Sequence, residues 1–265
     1  MPDIYTQTLN ALTAPDQTFA FKEELHSSGV TYREFINIPK TLANFFEYGL
    51  MFPEWEFVVF EDERYTFQDI HNKAAQAANA FVSAGVKKGD RVAICMANNP
   101  EYIICYMALT SMGAVCVLLN SWWVPDEVSY GLENSQAKIL VADQKRLSGL
   151  EKFQDVQKII VRPDSDSKFS NFNDFISSHE KTFPVVDLDT NDNATIFYTS
   201  GSTGFPKGVL STHRNILATL FSWALVTTLK REVEAAEAAS ELSPQIPQSD
   251  VPVNQSAILH CVPLF

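Results

Sequence analysis

The sequence predicts an α/β fold, a doubly wound and mostly parallel β-sheet with helices on both faces. Strand-length apolar segments alternate with helix-length amphipathic segments from Tyr65 onward. The apolar segments have no polar face, which is typical of strands that are buried on both sides of a parallel sheet. Glycine or proline lies near several segment ends, where helices stop or start. With 265 residues and 46% hydrophobic content, the chain can build one large domain or two smaller ones.

The first helix of this pattern is predicted to begin just after Tyr65. Thr66 and Asp69 have the spacing of a capping box, in which each side chain bonds the backbone of the other residue. Gly85 marks the end of the helix, since glycine readily adopts the left-handed conformation that closes many helices. The apolar side chains between these signals share one helical face: Phe67, Ile70, Ala74, Ala77, Ala78 and Phe81.

The later elements continue the alternation. A second helix is predicted from Asn99 to about Gly113, with Pro100 at its first position and Glu101 near the positive end of the helix dipole. A short helix is predicted to follow Pro125. The predicted strands are RVAICMA (91–97), AVCVLL (114–119), KILVA (138–142), QKIIV (157–161) and ATIFY (194–198).

One segment is long and apolar enough to raise the question of a membrane span. Tyr102 to Leu119 is 18 residues without a charged side chain, which is the lower limit of such a span. Gly113 divides it into a helix-length part and a β-branched, strand-length part. A helix that leads into a buried strand is therefore favoured, and no transmembrane segment is expected.

The cysteines and the first residues bear on the cellular compartment. The cysteines occupy apolar segments, without a CxxC pair or a histidine cluster at metal-binding spacing: Cys95, Cys105, Cys116 and Cys261. They are predicted to be reduced core residues. Residues 1–17 have two acidic side chains and no basic segment before an apolar stretch, which does not indicate a secretory signal. A cytoplasmic location is expected.

The charge balance excludes two classes of partner. The formal net charge is −12, from 32 acidic and 20 basic side chains. This sign opposes binding to a nucleic-acid backbone or to an anionic membrane surface, so no nucleic-acid partner is expected. An anionic ligand would need a local pocket of backbone N–H groups and one or two cations.

The chain divides by composition into five segments. These are an N-terminal extension (1–37), an α/β subdomain (38–190), a glycine-rich loop with its strand and following helix (191–229), an acidic proline-containing insertion (230–255) and the start of another strand (256–265).

The insertion at 230–255 differs in composition from its surroundings. It contains five acidic residues and three prolines, and it lacks aromatic residues and glycine. Its first half has strong helix formers that could extend the preceding helix, whereas the second half is predicted to be extended and mobile. Its glutamates are expected to form a solvated charged surface rather than a metal site: Glu232, Glu234, Glu237 and Glu241. Residues 256–262 (SAILHCV) are expected to form an ordered strand.

The segment ATIFYTSGSTGFPKGVLSTHRN (194–215) carries the chemistry. Its loop, Thr199–Gly204, has four hydroxyl residues and two glycines, and Lys207 follows. Small residues let backbone N–H groups converge, hydroxyls add donors and lysine adds a positive charge, which together suit phosphate oxygens. A flexible surface turn remains an equal alternative on composition alone.

Two common nucleotide-binding motifs do not fit this loop. A Walker A loop needs GK[ST] opening directly into a helix, whereas Pro206 precedes Lys207 and an apolar Val209–Leu210 pair follows. The sequence also lacks GxGxxG, so a dinucleotide-binding fold has only the general α/β alternation in its favour.

The twelve residues YTSGSTGFPKGV (198–209) resemble the phosphate-binding signature of the AMP-forming adenylate synthetases. This superfamily contains acyl-CoA synthetases, firefly-type luciferases and the adenylation domains of peptide synthetases. The similarity extends over residues 38–265, and CVPLF (261–265) resembles the start of the next signature. Residues 118–138 (LLNSWWVPDEVSYGLENSQAK) look more like fatty-acid CoA ligases than like amino-acid adenylation domains. The resemblance thus implies the N-terminal part of the large domain of an adenylate-forming enzyme.

The resemblance implies an enzyme that activates a carboxylic acid, here a fatty acid, with Mg²⁺-ATP. The acyl-adenylate would then pass its acyl group to coenzyme A. Lys207 would be catalytic, and the resemblance implies no metal ligand within this chain. The residues that would hold ATP are Thr199, Ser200, Gly201, Ser202, Thr203, Gly204 and Lys207.

Other residues have two interpretations. His213 would begin a helix near the nucleotide, either as a ligand contact or as a structural histidine. Trp122 and Trp123 would line an acyl or cofactor channel, or would serve packing. By resemblance, Pro263 and Phe265 would lie beside the acyl pocket.

The resemblance also implies that residues 1–265 are inactive alone, since the family's signatures for adenine, Mg²⁺ and ribose, and its C-terminal lysine, follow the position of Phe265. Exposed strand edges and apolar surface would favour association between copies, such as a homodimer. Two alternatives remain: adenylation of an amino acid or another carboxylate, and a non-catalytic interaction module.

Overall fold

The computed structural model describes residues 3–25, 29–150, 155–164, 167–199 and 206–240. These residues form two compact units. One unit contains the described residues up to Pro39 and those from Asn215 onward, and the other contains those from Lys40 to Arg214.

The N-terminal part of the first unit is a helix followed by a hairpin. Helix α1 (Ile4–Leu12) begins after Asp3, whose carboxylate accepts a hydrogen bond from the Thr6 N–H. Strands β1 (Phe21–Leu25) and β2 (Thr31–Phe35) pair in antiparallel orientation. No element was predicted here, because the segments are too short to show a clear period.

The second unit contains most of the regular structure. Its helices are α2 (Leu42–Phe46), α3 (Phe67–Ser83), α4 (Pro100–Ser111), α5 (Pro125–Ser135), α6 (Gln144–Leu147) and α7 (Phe172–Ser177), with a 3₁₀ helix at Glu47–Met51. Its strands are β3 (Glu56–Phe60), β4 (Glu63–Thr66), β5 (Arg91–Cys95), β6 (Val115–Leu118), β7 (Ile139–Asp143), β8 (Gln157–Val161), β9 (Ser170–Asn171), β10 (Asn193–Thr199) and β11 (Lys207–Thr212). Helix α8 (His213–Ser240) begins in this unit and continues into the first.

The central sheet confirms the predicted fold class. Its seven strands follow the order β11-β10-β6-β5-β7-β8-β9, in which neighbours are parallel except for the antiparallel β10–β11 pair. Strands β3 and β4 form a separate antiparallel hairpin. The five predicted strands thus lie side by side in one mostly parallel sheet, in the order β10, β6, β5, β7 and β8.

Helices cover both faces of this sheet, and each face has its own apolar core. Along β5, Val92 and Ile94 pack into the core formed with α3, α4 and α7, whereas Ala93 and Cys95 pack into the core formed with α5 and α6. Because successive side chains of a strand point to opposite faces, strands that are apolar throughout are what a sheet with two buried faces requires.

The predicted helix signals are present in the structure. The capping box of Thr66 and Asp69 opens α3, and Gly85 follows the helix with φ +87°. The apolar segment from Tyr102 to Leu119 is divided between α4 and β6, as predicted. No helix in the described ranges is long and apolar enough to cross a membrane. Cys95, Cys105 and Cys116 are buried and form no disulfide, whereas Cys261 lies outside the described residues.

The structure describes only the first part of the insertion at 230–255, so only the predictions for that part can be compared with it. Helix α8 reaches Ser240, which confirms that the preceding helix extends into the segment that begins at residue 230. The predicted mobile, proline-containing half and the predicted strand at 256–262 lie outside the described residues.

A partly buried ion-pair cluster at Arg162 joins three elements. Arg162 follows β8, and its Nη1 and Nη2 each donate to a Glu63 carboxylate oxygen over 2.7 Å, while Nε donates to Glu101 over 2.9 Å. Glu101 lies in the first turn of α4 and is only 5% exposed. Hydrogen bonds from Arg162 lower the pKa of Glu63 to about 2. This stabilisation is therefore present above the ordinary carboxyl pKa of 4.5 and is lost as the pH falls towards 2.

Replacing Arg162 with alanine is expected to lower the free energy of unfolding by about 3 kcal/mol, because the buried carboxylate of Glu101 would lose its cation. Urea unfolding at pH 7 measures the change. Lys138→Ala is the matched control, since Lys138 forms a 2.8 Å ion pair with Asp90 but its side chain is 53% exposed. That control should cost less than about 1 kcal/mol. Equal losses in the two variants would contradict the view that Arg162 stabilises the buried carboxylate of Glu101.

Candidate functional site

The predicted phosphate loop connects the two strands of the β10–β11 hairpin. Strand β10 runs parallel to β6, with Phe197 opposite Leu118, so Thr199 lies at the carboxyl end of the sheet. Ligands of open α/β sheets bind outside the carboxyl ends of the strands. The end of β10 that leads into the loop therefore lies at the carboxyl end of the sheet, where a ligand is expected.

The two ends of the loop are adjacent in the structure. Thr199 and Lys207 are paired residues of the antiparallel ladder, and both are exposed. Five other predicted ligand residues lie outside the described residues, and their convergence on a phosphate stays a prediction: Ser200, Gly201, Ser202, Thr203 and Gly204.

Helix α5 contacts strand β10 and the residue that directly precedes β11. The Tyr198 hydroxyl donates to the Gly131 carbonyl over 3.2 Å and to Asn134 Oδ1 over 2.8 Å. From the same helix, the Tyr130 hydroxyl donates to the Pro206 carbonyl over 3.2 Å. Sequence reasoning did not single out Tyr130. The sequence places Tyr130 in the predicted helix after β6, which indicates that it lies near the carboxyl end of the sheet. It does not indicate that the partner of Tyr130 is Pro206, which is 76 residues away.

His213 begins α8, as the sequence predicted, and its side chain is completely buried. Nδ1 accepts a hydrogen bond from the Leu42 N–H over 3.1 Å. The neutral ring therefore carries its proton on Nε2. Burial lowers the pKa of His213, Asp192 partly opposes this effect, and Lys88 adds to it. The hydrogen bond between His213 and Leu42 is a structural contact. A contact of His213 with a nucleotide stays a prediction.

The His213 ring should make stability depend on pH. Its folded-state pKa lies below 6.5, so the unfolded chain binds more protons, and stability should fall as the pH drops below 6.5. Protonation would also place a hydrogen on Nδ1, where the ring now accepts from Leu42. His213→Asn keeps a nearby acceptor without titrating and should show a shallower dependence. Thermal melts from pH 7.5 to 5 measure it, and parallel curves for the two proteins would contradict this account.

The two tryptophans have different environments. Trp123 packs edge-on against Tyr198 with ring centroids 5.4 Å apart, which supports the packing interpretation for this residue. Trp122 is 73% exposed, and its backbone N–H donates to Asn120 Oδ1. A role of Trp122 in a channel stays a prediction. Pro263 and Phe265 lie outside the described residues.

The structure shows no metal site within the described part of the chain, where no three His, Cys, Asp or Glu side chains are grouped to hold an ion. Glu232, Glu234 and Glu237 are exposed on α8, as expected for a solvated charged surface. Two of them pair with basic neighbours, Glu232 with Arg231 and Glu234 with Lys230. Glu241 lies outside the described residues.

Comparison with known proteins matches the chain to one enzyme family and to CoA ligases. A family model described as AMP-binding enzyme matches residues 45–265. Crotonobetaine/carnitine–CoA ligases of Escherichia coli are 32% identical over 162 residues. This match covers 58% of the chain and 31% of the relatives, so the matched region is less than a third of their length.

Solved structures show the same fold. A Rhodopseudomonas palustris protein assigned as a long-chain-fatty-acid CoA ligase superposes with a TM-score of 0.61 at 26% identity, over 69% of this chain and 47% of that one. The anthranilate CoA ligase AuaEII, in complex with anthranoyl-AMP, superposes with a TM-score of 0.63 at 24% identity, over 67% of this chain and 36% of that one. The fold is therefore shared with domains that differ in the acid they bind.

Proposed function

We propose that this chain, which belongs to the AMP-binding enzyme family, is part of an ATP-dependent acid–CoA ligase. The whole protein would first join a carboxylic acid to AMP. An oxygen of the carboxylate attacks the α-phosphorus of ATP, and the bond to pyrophosphate breaks. The sulfur of coenzyme A then attacks the acyl carbon, a thioester forms and AMP leaves.

The observation that carries this proposal is the pairing of Thr199 with Lys207 across the base of the loop. The pairing puts a hydroxyl and an ammonium group at the carboxyl end of β10, both open to solvent. These groups fit phosphate oxygens, since lysine provides a positive charge and threonine a donor. Thr199, the loop residues 200–204 and Lys207 would hold the β- and γ-phosphates of ATP.

The chemical task of these residues is electrostatic. Holding the β- and γ-phosphates aligns the α-phosphorus with the attacking carboxylate, which lowers the entropic part of the barrier. Negative charge develops on pyrophosphate as its bond breaks, and Lys207 would stabilise that charge. Mg²⁺ would arrive bound to ATP and share this neutralisation.

Within this proposal, we assign the acid substrate more specifically as a fatty acid. The resemblance of residues 118–138 to fatty-acid CoA ligases supports this choice. The named relatives act on different acids, since one is a crotonobetaine/carnitine–CoA ligase and another an anthranilate CoA ligase. A cytoplasmic location accompanies this proposal, and the absence of disulfides at Cys95, Cys105 and Cys116 is compatible with it.

An exchange assay tests the proposal. The protein encoded by the complete gene is incubated with ATP, labelled pyrophosphate and one acid at a time: fatty acids of increasing length, crotonobetaine, anthranilate and the amino acids. Exchange that depends on a fatty acid, followed by thioester formation with coenzyme A, is expected. Exchange with an amino acid and no thioester would favour the amino-acid alternative. No exchange with any acid would contradict the enzymatic proposal and favour an interaction module.

A further inference from the structure

We propose that Tyr130 is a positioning residue for Lys207, an inference that rests on the function proposed above. Its hydroxyl donates to the Pro206 carbonyl over 3.2 Å, and Pro206 directly precedes Lys207. Tyr130 is half-buried on α5, whereas Lys207 is exposed on β11. The hydrogen bond thus ties the returning end of the loop to a helix of the core.

The same helix holds the outgoing end of the loop. Tyr198, which precedes Thr199, donates to the Gly131 carbonyl and to Asn134 Oδ1. Its ring also packs edge-on against Trp123. Tyr130, Gly131 and Asn134 lie within little more than one turn of α5, so one short stretch of helix fixes the residues on both sides of the loop.

Helix α5 is suited to this role because its own position is fixed by packing. Val128 and Leu132 are each about 1% exposed, in the core on that face of the sheet. Leu119 approaches so closely that a Cβ at Gly131 would lie 2.7 Å from its Cδ2. A helix seated this tightly cannot shift without disturbing the core. It therefore provides a stable reference for Tyr198 and Pro206.

Strand β11 depends on a contact with α5 more than strand β10 does. Strand β10 lies between β6 and β11, whereas β11 is at the edge of the described sheet. Val209 and Leu210 of β11 are 46% and 51% exposed. An edge strand with exposed side chains gains little from packing. The bond from Tyr130 to Pro206 would therefore limit the motion of the backbone that carries Lys207.

Tyr130→Phe tests this inference, because it keeps the ring and removes the hydroxyl. In the protein encoded by the complete gene, the KM for ATP in the exchange assay should rise about fivefold, the effect of losing about one net hydrogen bond. The KM for the acid should stay unchanged. Amide hydrogen exchange at Lys207 and Gly208 should become about fivefold faster. Tyr65→Phe is the matched control, since the Tyr65 hydroxyl bonds Glu63 and Tyr65 lies outside the β10–β11 hairpin.

The outcomes separate this inference from the proposed function. A higher KM for ATP and faster exchange at Lys207 in Tyr130→Phe, with neither change in Tyr65→Phe, would support the positioning role. Equal KM values and equal amide-exchange rates in the two variants would overturn it. If the unmodified protein catalyses no pyrophosphate exchange with any acid, the proposed function fails. The amide-exchange comparison then decides by itself whether Tyr130 positions Lys207.

Discussion

Replacing Lys207 with alanine is expected to lower the rate of acyl-adenylate formation by about 10²-fold, the scale of losing one charge-stabilising donor in a preorganised site. Lys207 lies opposite Thr199 at the base of the loop and would stabilise the charge that develops on pyrophosphate. The free energy of unfolding should change by less than about 0.5 kcal/mol, because the Lys207 side chain is exposed. Pyrophosphate exchange and urea unfolding measure the two quantities.

Lys87→Ala is the matched control for this variant. Lys87 is also exposed, but it precedes β5 and therefore lies towards the amino end of the sheet, away from the loop. The control should keep both its exchange rate and its stability. An Lys207→Ala protein that exchanges pyrophosphate at the unmodified rate would refute the assigned role. A large loss of stability in that variant would instead point to a structural lysine.

Residues 1–265 by themselves are expected to make no acyl-CoA, although they include the phosphate loop. By the resemblance of residues 198–209, the groups that bind adenine and ribose and the C-terminal lysine would follow the position of Phe265. The seven predicted ligand residues would gain about 1 kcal/mol net per contact, or about 7 kcal/mol together, and association costs at least about 4 kcal/mol. ATP binding should therefore be in the millimolar range or weaker.

Two measurements test this expectation. Calorimetry gives the affinity of residues 1–265 for ATP, and a thioester assay with fatty acid, ATP and coenzyme A gives their activity. The protein encoded by the complete gene is measured in parallel. Micromolar ATP binding or acyl-CoA formation by residues 1–265 alone would contradict the expected division of the site. Acyl-CoA formation that is found only with the complete protein would support the expected division of the site.

The sequence by itself determined the fold class and the positions of the main elements. Thr66 and Asp69 marked the start of α3, and Gly113 separated α4 from β6. These signals are local, because a cap, a turn and a hydrophobic period depend on residues a few positions apart. The phosphate-loop motif was also visible as a contiguous segment, and its two described ends, Thr199 and Lys207, lie side by side.

Only the tertiary structure decided which distant residues meet. Arg162 bonds Glu63 and Glu101, which are 99 and 61 residues away, and Tyr130 bonds Pro206. The Tyr130–Pro206 contact depends on strand order, since β10 pairs with β6, whereas β7, β8 and β9 lie on the other side of β5. Hydrophobic period fixes the face that a strand buries but not its neighbour. The sequence therefore located the loop, and the sheet order determined the helix that holds it.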